Sequence, residues 1–181
     1  METLLFISSD PGVTRALVPV ARQLNLKKYS IRVGGSEISD SIWQIETDFK
    51  FKYEKFEDDI SEAKVKIFLR KALPDMLIVG AGLYNMIEHT FRRVGVDMGI
   101  YCFAMLDYWA GYRSRFQRII NDTCVMSLPD KIGIMDELCF NEMVDEAFDP
   151  DSMVIVGAPH LEESVKIVHS CSSIIKKKEI K

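Results

Sequence analysis

The side chains best suited to chemistry cluster in one segment, which directly follows an apolar run. Asp107 could take a proton from a hydroxyl group, whereas pairing with Arg113 or Arg115 would make it a structural carboxylate. The two arginines match the oxygens of a phosphate or carboxylate, and a solvated basic loop is the alternative. Trp109 and Tyr112 could stack on a sugar ring or cover the end of a sheet. The segment is therefore a candidate binding site with Asp107 as its candidate base.

A βαβ unit is predicted to position this segment. The apolar runs 76–79 and 99–105 are separated by one helix length, residues 84–94. Such a crossover is right-handed and makes its two strands parallel. In parallel sheets, ligands bind beyond the carboxyl ends of the strands. Residues 80–85 and 106–116 are therefore expected side by side on one rim.

A second loop of interest follows the first apolar run, residues 3–7. It reads SSDPG and contains Ser9, Asp10 and Gly12. Asp10 suits the N-cap of the next helix, with Pro11 in the first turn. Free amides at this helix start could hold an anion or a sugar hydroxyl, unless the loop merely connects strand to helix.

The loop after the strand at 76–79 begins GAG. This resembles the start of a GxGxxG fingerprint, but Asn85 stands where the third glycine is required. The motif is incomplete, and no nucleotide or other cofactor is predicted from it. Gly80 and Gly82 still allow close approach of the backbone to a ligand, so we predict that Gly80, Gly82 and Asn85 line the substrate site.

The helix after this loop carries several charged side chains, namely Glu88, His89, Arg92 and Arg93. A single histidine beside two arginines is more typical of a solvated face than of a ligand set. We therefore expect this helix surface to face water.

Strands alternate with helices along the whole chain, which predicts an α/β fold. We expect a Rossmann-like three-layer α/β/α sandwich with a mostly parallel sheet of about six to seven strands. Residues 49–56 alternate aromatic and charged side chains, as an edge strand does, and residues 114–121 are expected to be helical. Residues 1–160 would form one domain, followed by a closing helix and charged tail at 161–181.

Composition excludes several classes of function. The 181 residues carry a formal net charge of −4, which disfavours nucleic-acid partners. No apolar run reaches the roughly 20 residues of a membrane span, and no signal peptide opens the chain. The four cysteines lack CxxC spacing, so reduced thiols in the cytoplasm are expected. The three histidines lack ligand spacing, so no metal site is predicted.

Four segments together resemble the amino-terminal domain of GT-B fold proteins, a group that includes glycosyltransferases and UDP-N-acetylglucosamine 2-epimerases. They are SSDPG, IVGAGLYNMIE, MLDYWAGYRSRF and LPDKIGIMDELCFNEMVDEAFDPDSMVIVGAPHLEE. The last is the most specific, since it runs from a strand through a helix to a strand that closes in a Gly-x-Pro turn.

The resemblance implies an acceptor-binding half that lacks the nucleotide-sugar-binding half and is inactive alone. A donor-binding partner subunit or a homodimer would then be the protein partner, and a sugar or phosphosugar the acceptor. The resemblance also implies that Ser9, Asp10 and Gly12 lie near the cleft, and that Asp107 occupies the place of an epimerase acid. A second epimerase acid is missing from GAGLYN, which argues against an epimerase. The alternatives are a non-catalytic sugar-binding or protein-interaction module, or an epimerase-like protein.

Overall fold

The computed structural model describes residues 1–47, 51–83 and 86–178, with side chains described as far as residue 169. The strands are β1 Glu2–Ser8, β2 Tyr29–Gly35, β3 Tyr53–Lys55, β4 Met76–Gly80, β5 Tyr101–Met105, β6 Gln117–Ile120, β7 Thr123–Met126, β8 Lys131–Ile134 and β9 Met153–Ile155. The helices are α1 Pro11–Gln23, α2 Glu37–Glu46, α3 Glu62–Ala72, α4 Met86–Asp97, α5 Tyr112–Phe116, α6 Glu137–Asp145 and α7 Pro159–Lys178.

Seven strands form one sheet in the order β3-β2-β1-β4-β5-β8-β9, and every pair in it is parallel. The prediction of a mostly parallel sheet of six to seven strands is confirmed. Strands β1 and β4 are continuous apolar runs because helices cover both faces of the sheet. The edge strand predicted over residues 49–56 is confirmed at Tyr53–Lys55, which is β3, while residues 49 and 50 lie outside the described residues.

Two faces of the sheet carry separate apolar layers, which confirms the three-layer architecture. On one face, Phe6 packs with Leu17 of α1 and Trp43 of α2. On the other face, Leu5 packs with side chains of α3 and α4, including Phe91. Each such side chain contributes about 1.5–3 kcal/mol through its burial.

The prediction of a helix over residues 114–121 is wrong beyond Phe116. Strands β6 and β7 instead form an antiparallel hairpin outside the main sheet. Its turn residues Asn121 and Asp122 have φ values of 49° and 58°, as a tight hairpin turn of the I′ type requires. The β-branched residues that precede this turn favour a strand over a helix.

Helix α7 packs beside α1, where Arg22 and Glu163 pair at 3.0 Å. Helix α7 begins at Pro159, two residues before the start that was predicted for the closing helix, residue 161. Within the described ranges, no helix is long and apolar enough to cross a membrane.

Candidate functional site

Three loops meet at the carboxyl ends of β1, β4 and β5, because these strands are neighbours in the sheet. The amide of Ala81 donates to the carbonyl of Met105 at 3.0 Å. The guanidinium of Arg115 donates to the carbonyl of Ala81 at 2.6 Å. The described part of the loop at 80–85 therefore lies beside 106–116, as expected from the βαβ unit.

Asp10 is the N-cap of α1, as its position before Pro11 predicted. It has an extended backbone, and its Oδ1 accepts the amide proton of Val13 at 3.0 Å. Its Oδ2 points towards the loop after β4, since a Cβ added to Gly82 would lie 2.5 Å from it. A side chain at position 82 would therefore displace this carboxylate.

Asp107 approaches the same place from the end of β5. A Cβ added to Gly12 would lie 2.4 Å from Asp107 Oδ2 and 3.4 Å from Asp10 Oδ1. Both carboxylates therefore converge on the exposed backbone of Gly12. Oδ1 of Asp107 accepts a hydrogen bond from Arg115 at 2.7 Å, the pairing considered in the sequence analysis.

A third acid, Glu88, was missed by reasoning from the sequence. It is 1% exposed, and it accepts the amide protons of Ser9 at 2.7 Å and Gly82 at 3.1 Å. Burial, followed by the nearby charge of Asp10, raises the pKa of Glu88 to about 7. Burial likewise raises the pKa of Asp10, with the charge of Asp107 acting in the same direction.

The expectation that α4 presents a solvated charged face is wrong for Glu88, His89 and Arg92, all of which are buried. Burial, followed by the charge of Arg92, lowers the pKa of His89 to about 4. A signal was present in the sequence: Glu88 lies in the first helical turn after a glycine loop, and Arg92 is four residues further on. A crossover helix with apolar neighbours on several sides buries such residues.

Three arginines donate to successive carbonyls of the loop 80–82. Arg92 contacts Gly80 at 3.4 Å, Arg115 contacts Ala81 at 2.6 Å, and Arg118 contacts Gly82 at 3.1 Å. The carbonyl oxygens of this loop are thus satisfied by guanidinium groups. These three arginines therefore hold the backbone of the loop, and Arg115 also holds the carboxylate of Asp107. Their observed contacts are structural.

The remaining predicted side chains of the segment contact α6. Tyr112 is 2% exposed and donates from its hydroxyl to Glu142 at 2.6 Å. Trp109 donates from Nε1 to Asp136 at 2.8 Å. The guanidinium of Arg113 donates to the carbonyl of Glu146 at 3.0 Å.

The hydrogen bonds of these three side chains go to α6 and its two capping residues, and none of them goes to Asp10 or Asp107. The ring of Tyr112 lies in the apolar cluster at the end of the sheet, which is the covering role considered above. Asn85 lies outside the described residues. Among the residues that are described, no group of three or more histidine, cysteine or acidic side chains is arranged to hold a metal ion.

A large cavity of about 770 Å³ lies elsewhere, between α1, α7 and the sheet. Its lining is mostly apolar and includes Leu4, Met76 and Phe103. Asp75, one of its few acids, already accepts the amide proton of Thr3. This lining offers few groups that could transfer a proton. The acidic rim, formed by Asp10 and Asp107 at the carboxyl ends of β1 and β5, is therefore the better candidate for chemistry.

No protein-family model and no curated protein matches this chain. Solved structures do match it. S. aureus MnaA in complex with UDP aligns with a TM-score of 0.65 and 16% identity, over 88% of this chain and 46% of that one. A UDP-GlcNAc 2-epimerase from Neisseria meningitidis bound to UDP-GlcNAc gives 0.65 and 14%, over 98% and 52%. The glycotransferase of kitacinnamycin gives 0.57 and 11%, over 87% and 51%.

These similarities confirm, at the level of the fold, the resemblance to epimerases and glycosyltransferases. This chain spans about half the length of the solved proteins it matches.

Proposed function

We propose that this chain is the acceptor-side half of a GT-B-like glycosyltransferase. The observation that carries the proposal is the convergence of Asp10 and Asp107 on Gly12 at the carboxyl ends of β1 and β5. A carboxylate on this rim can take the proton from an acceptor hydroxyl as the hydroxyl oxygen attacks the anomeric carbon.

Asp107 is the proposed base. Arg115 holds its Oδ1 at 2.7 Å, which leaves Oδ2 directed at the backbone of Gly12. Fixing one oxygen orients the other, and orientation is a large part of what an enzyme supplies to such a step. Asp10, next to it, would hydrogen-bond a second hydroxyl of the acceptor.

The proposed acceptor site has two parts. The part nearest the acids comprises Ser9, Asp10, Gly12, Gly80, Gly82 and Asp107. The proposal also keeps Asn85 and Trp109 as acceptor contacts on the grounds of their places in the sequence, while Tyr112, Arg113 and Arg115 support the loop that carries Asp107.

The nucleotide sugar would be gripped outside this chain, either by a further domain or by a partner subunit. The half-length coverage of the solved proteins supports this division. Charge on the departing diphosphate would then be stabilised by that second half.

The free thiols of Cys102, Cys124 and Cys139 support a cytoplasmic location.

The experiment is a calorimetric titration of the purified chain with sugars, phosphosugars, UDP and UDP-sugars. We expect weak binding of at least one sugar or phosphosugar and no micromolar binding of UDP. Micromolar affinity for UDP would contradict the division of acceptor and donor binding between this chain and a second half, since the donor site would then be complete in this chain.

Asp107→Asn tests the base once a donor-binding half is supplied. We expect turnover to fall by about 10²- to 10⁴-fold, because the amide cannot take the proton. Asp145→Asn, on the exposed surface of α6, is the control and should leave turnover unchanged. Equal turnover of wild type and Asp107→Asn would remove Asp107 from the role of base.

An epimerase is the second candidate, and Glu88 is the observation that favours it. The sequence argued against an epimerase because the loop after β4 lacks an acid, yet Glu88 reaches that loop through Gly82. Conversion of UDP-GlcNAc to its 2-epimer without any acceptor, in the presence of a donor-binding half, would favour this candidate over glycosyl transfer.

A further inference from the structure

One buried carboxyl group joins two loops that are far apart in the chain. Oε1 of Glu88 accepts from the amide of Ser9, 79 residues away, at 2.7 Å. Oε2 accepts from the amide of Gly82 at 3.1 Å. The Ser9 loop leads into Asp10, so Glu88 connects the element that carries one rim acid to the loop after β4.

Both contacts are strongest when Glu88 is ionised. A carboxylate offers acceptor lone pairs on each oxygen, whereas a protonated carboxyl carries a hydrogen on one of them. That hydrogen would face an amide donor, and one of the two bonds would be weakened. The clamp is therefore strongest when Glu88 is charged.

Charged and titratable groups surround this carboxyl from several elements. They are Asp10 at the start of α1, Arg92 on α4, Arg118 on β6 and Tyr53 on β3. Asp10 opposes ionisation of Glu88, and the two arginines favour it. Asp10 in turn is affected by Asp107, which raises its pKa, and by Arg115, which lowers it.

Gly82 lies beside both Asp10 and Glu88. A Cβ at this position would lie 2.5 Å from Asp10 Oδ2 and also 2.5 Å from Glu88 Oε2. Gly82 is therefore a neighbour of Asp10 as well as of Glu88. A change at the clamp can reach Asp10 through Gly82, or through Ser9, which precedes Asp10 in the chain.

We propose that Glu88 is a positioning residue whose carboxylate locks the Ser9 loop to the Gly82 loop, and that protonation of Glu88 loosens the rim carrying Asp10 and Asp107. The binding of a ligand at this rim rests on the proposed function, whereas the Glu88 clamp does not depend on it. Acceptor affinity should then rise with pH as Glu88 becomes ionised.

The test is an NMR titration of the full chain from pH 5 to 9, following the backbone amides of Ser9 and Gly82. We expect both amide proton shifts to move together with one midpoint near 7, the pKa to which burial raises Glu88. Amide shifts that stay flat over this range in the wild type would overturn the clamp. No variant has to fold for this measurement.

Two variants extend the test. Glu88→Gln should remove the shared titration, while Glu37→Gln, which changes an exposed first-turn glutamate of α2, should leave it intact. A shared titration that persists in Glu88→Gln would assign it to another group and overturn the proposal.

A ligand arm uses N-acetylglucosamine and its 1-phosphate as probes at pH 6 and 8. We expect tighter binding at pH 8 in the wild type and equal, weak binding at both pH values in Glu88→Gln. Titrating amides with no binding of either probe would support the clamp and count against the proposed acceptor site. Binding that is independent of pH in the wild type would overturn the coupling of clamp to rim.

Discussion

At the scale of single residues, Glu88 combines a cost to folding with a structural use. Ionisation of its buried carboxyl is unfavourable, but the ionised form is the one that accepts the Ser9 and Gly82 amides most strongly. Strain and unfavourable burial of this kind gather at functional sites, where the surrounding fold compensates for them. The position of Glu88 beneath the acidic rim is consistent with that pattern.

We predict a pH-dependent stability that depends on Glu88. Its pKa is about 7 in the folded chain and near 4.5 when unfolded, so the folded state binds more protons between these values. The free energy of unfolding should fall as pH rises from 4.5 to 7, by up to about 3 kcal/mol from this group.

The measurement is urea denaturation of the wild type and Glu88→Gln at pH 5 and pH 8. The variant should lack the decrease that Glu88 causes, so the stability difference between the two proteins should change with pH. Parallel pH profiles for the two proteins would contradict the raised pKa.

At the scale of elements, α4 organises the region around the site. Its buried Arg92 donates to the carbonyl of Arg115 at 2.9 Å and to that of Ser127. The guanidinium also lies 4.8 Å from the centre of the Phe116 ring. One side chain of α4 therefore secures both α5 and the segment that follows the β6–β7 hairpin.

Arg92→Ala should destabilise the protein by about 3 kcal/mol, because at least two buried carbonyls lose their donor. Arg93→Ala is the matched control on the same helix. Arg93 pairs with the partly exposed Glu62, and loss of such a pair should cost less than about 1 kcal/mol. Chemical denaturation measures both changes, and equal losses would mean that Arg92 does not hold these segments together.

At the scale of the whole molecule, the sheet sets a gradient of stability. Strands β1 and β4 are each paired on both sides, while β3 and β9 are three-residue strands at the edges. Edge strands open locally at lower free energy than strands with two neighbours and covered faces.

Amide hydrogen exchange should therefore be slowest in β1 and β4 and faster by orders of magnitude in β3 and β9. Mass spectrometry or NMR exchange at neutral pH measures this order. Protection of β3 equal to that of β4 would indicate that another surface covers this edge of the sheet in solution.

The sequence by itself determined the features that depend on local order. Apolar runs separated by single helix lengths bury both of their faces as parallel strands between helices, so the sheet and the rim at which its loops meet were predictable. Asp10 before Pro11 predicted a helix cap because capping involves neighbours in the chain. The place of Asp107 followed from the end of an apolar run.

The tertiary structure alone decided which side chains meet at that rim. Glu88 contacts Ser9 across 79 residues, and the ring of Tyr112 joins an apolar cluster while its hydroxyl donates to Glu142 of α6. The arginines also contact carbonyls whose direction depends on the path of a loop. Such contacts depend on which loops the strand order brings together. A helical pattern that contains Glu88 and Arg92 is the same in the sequence whether the helix faces water or a neighbouring loop.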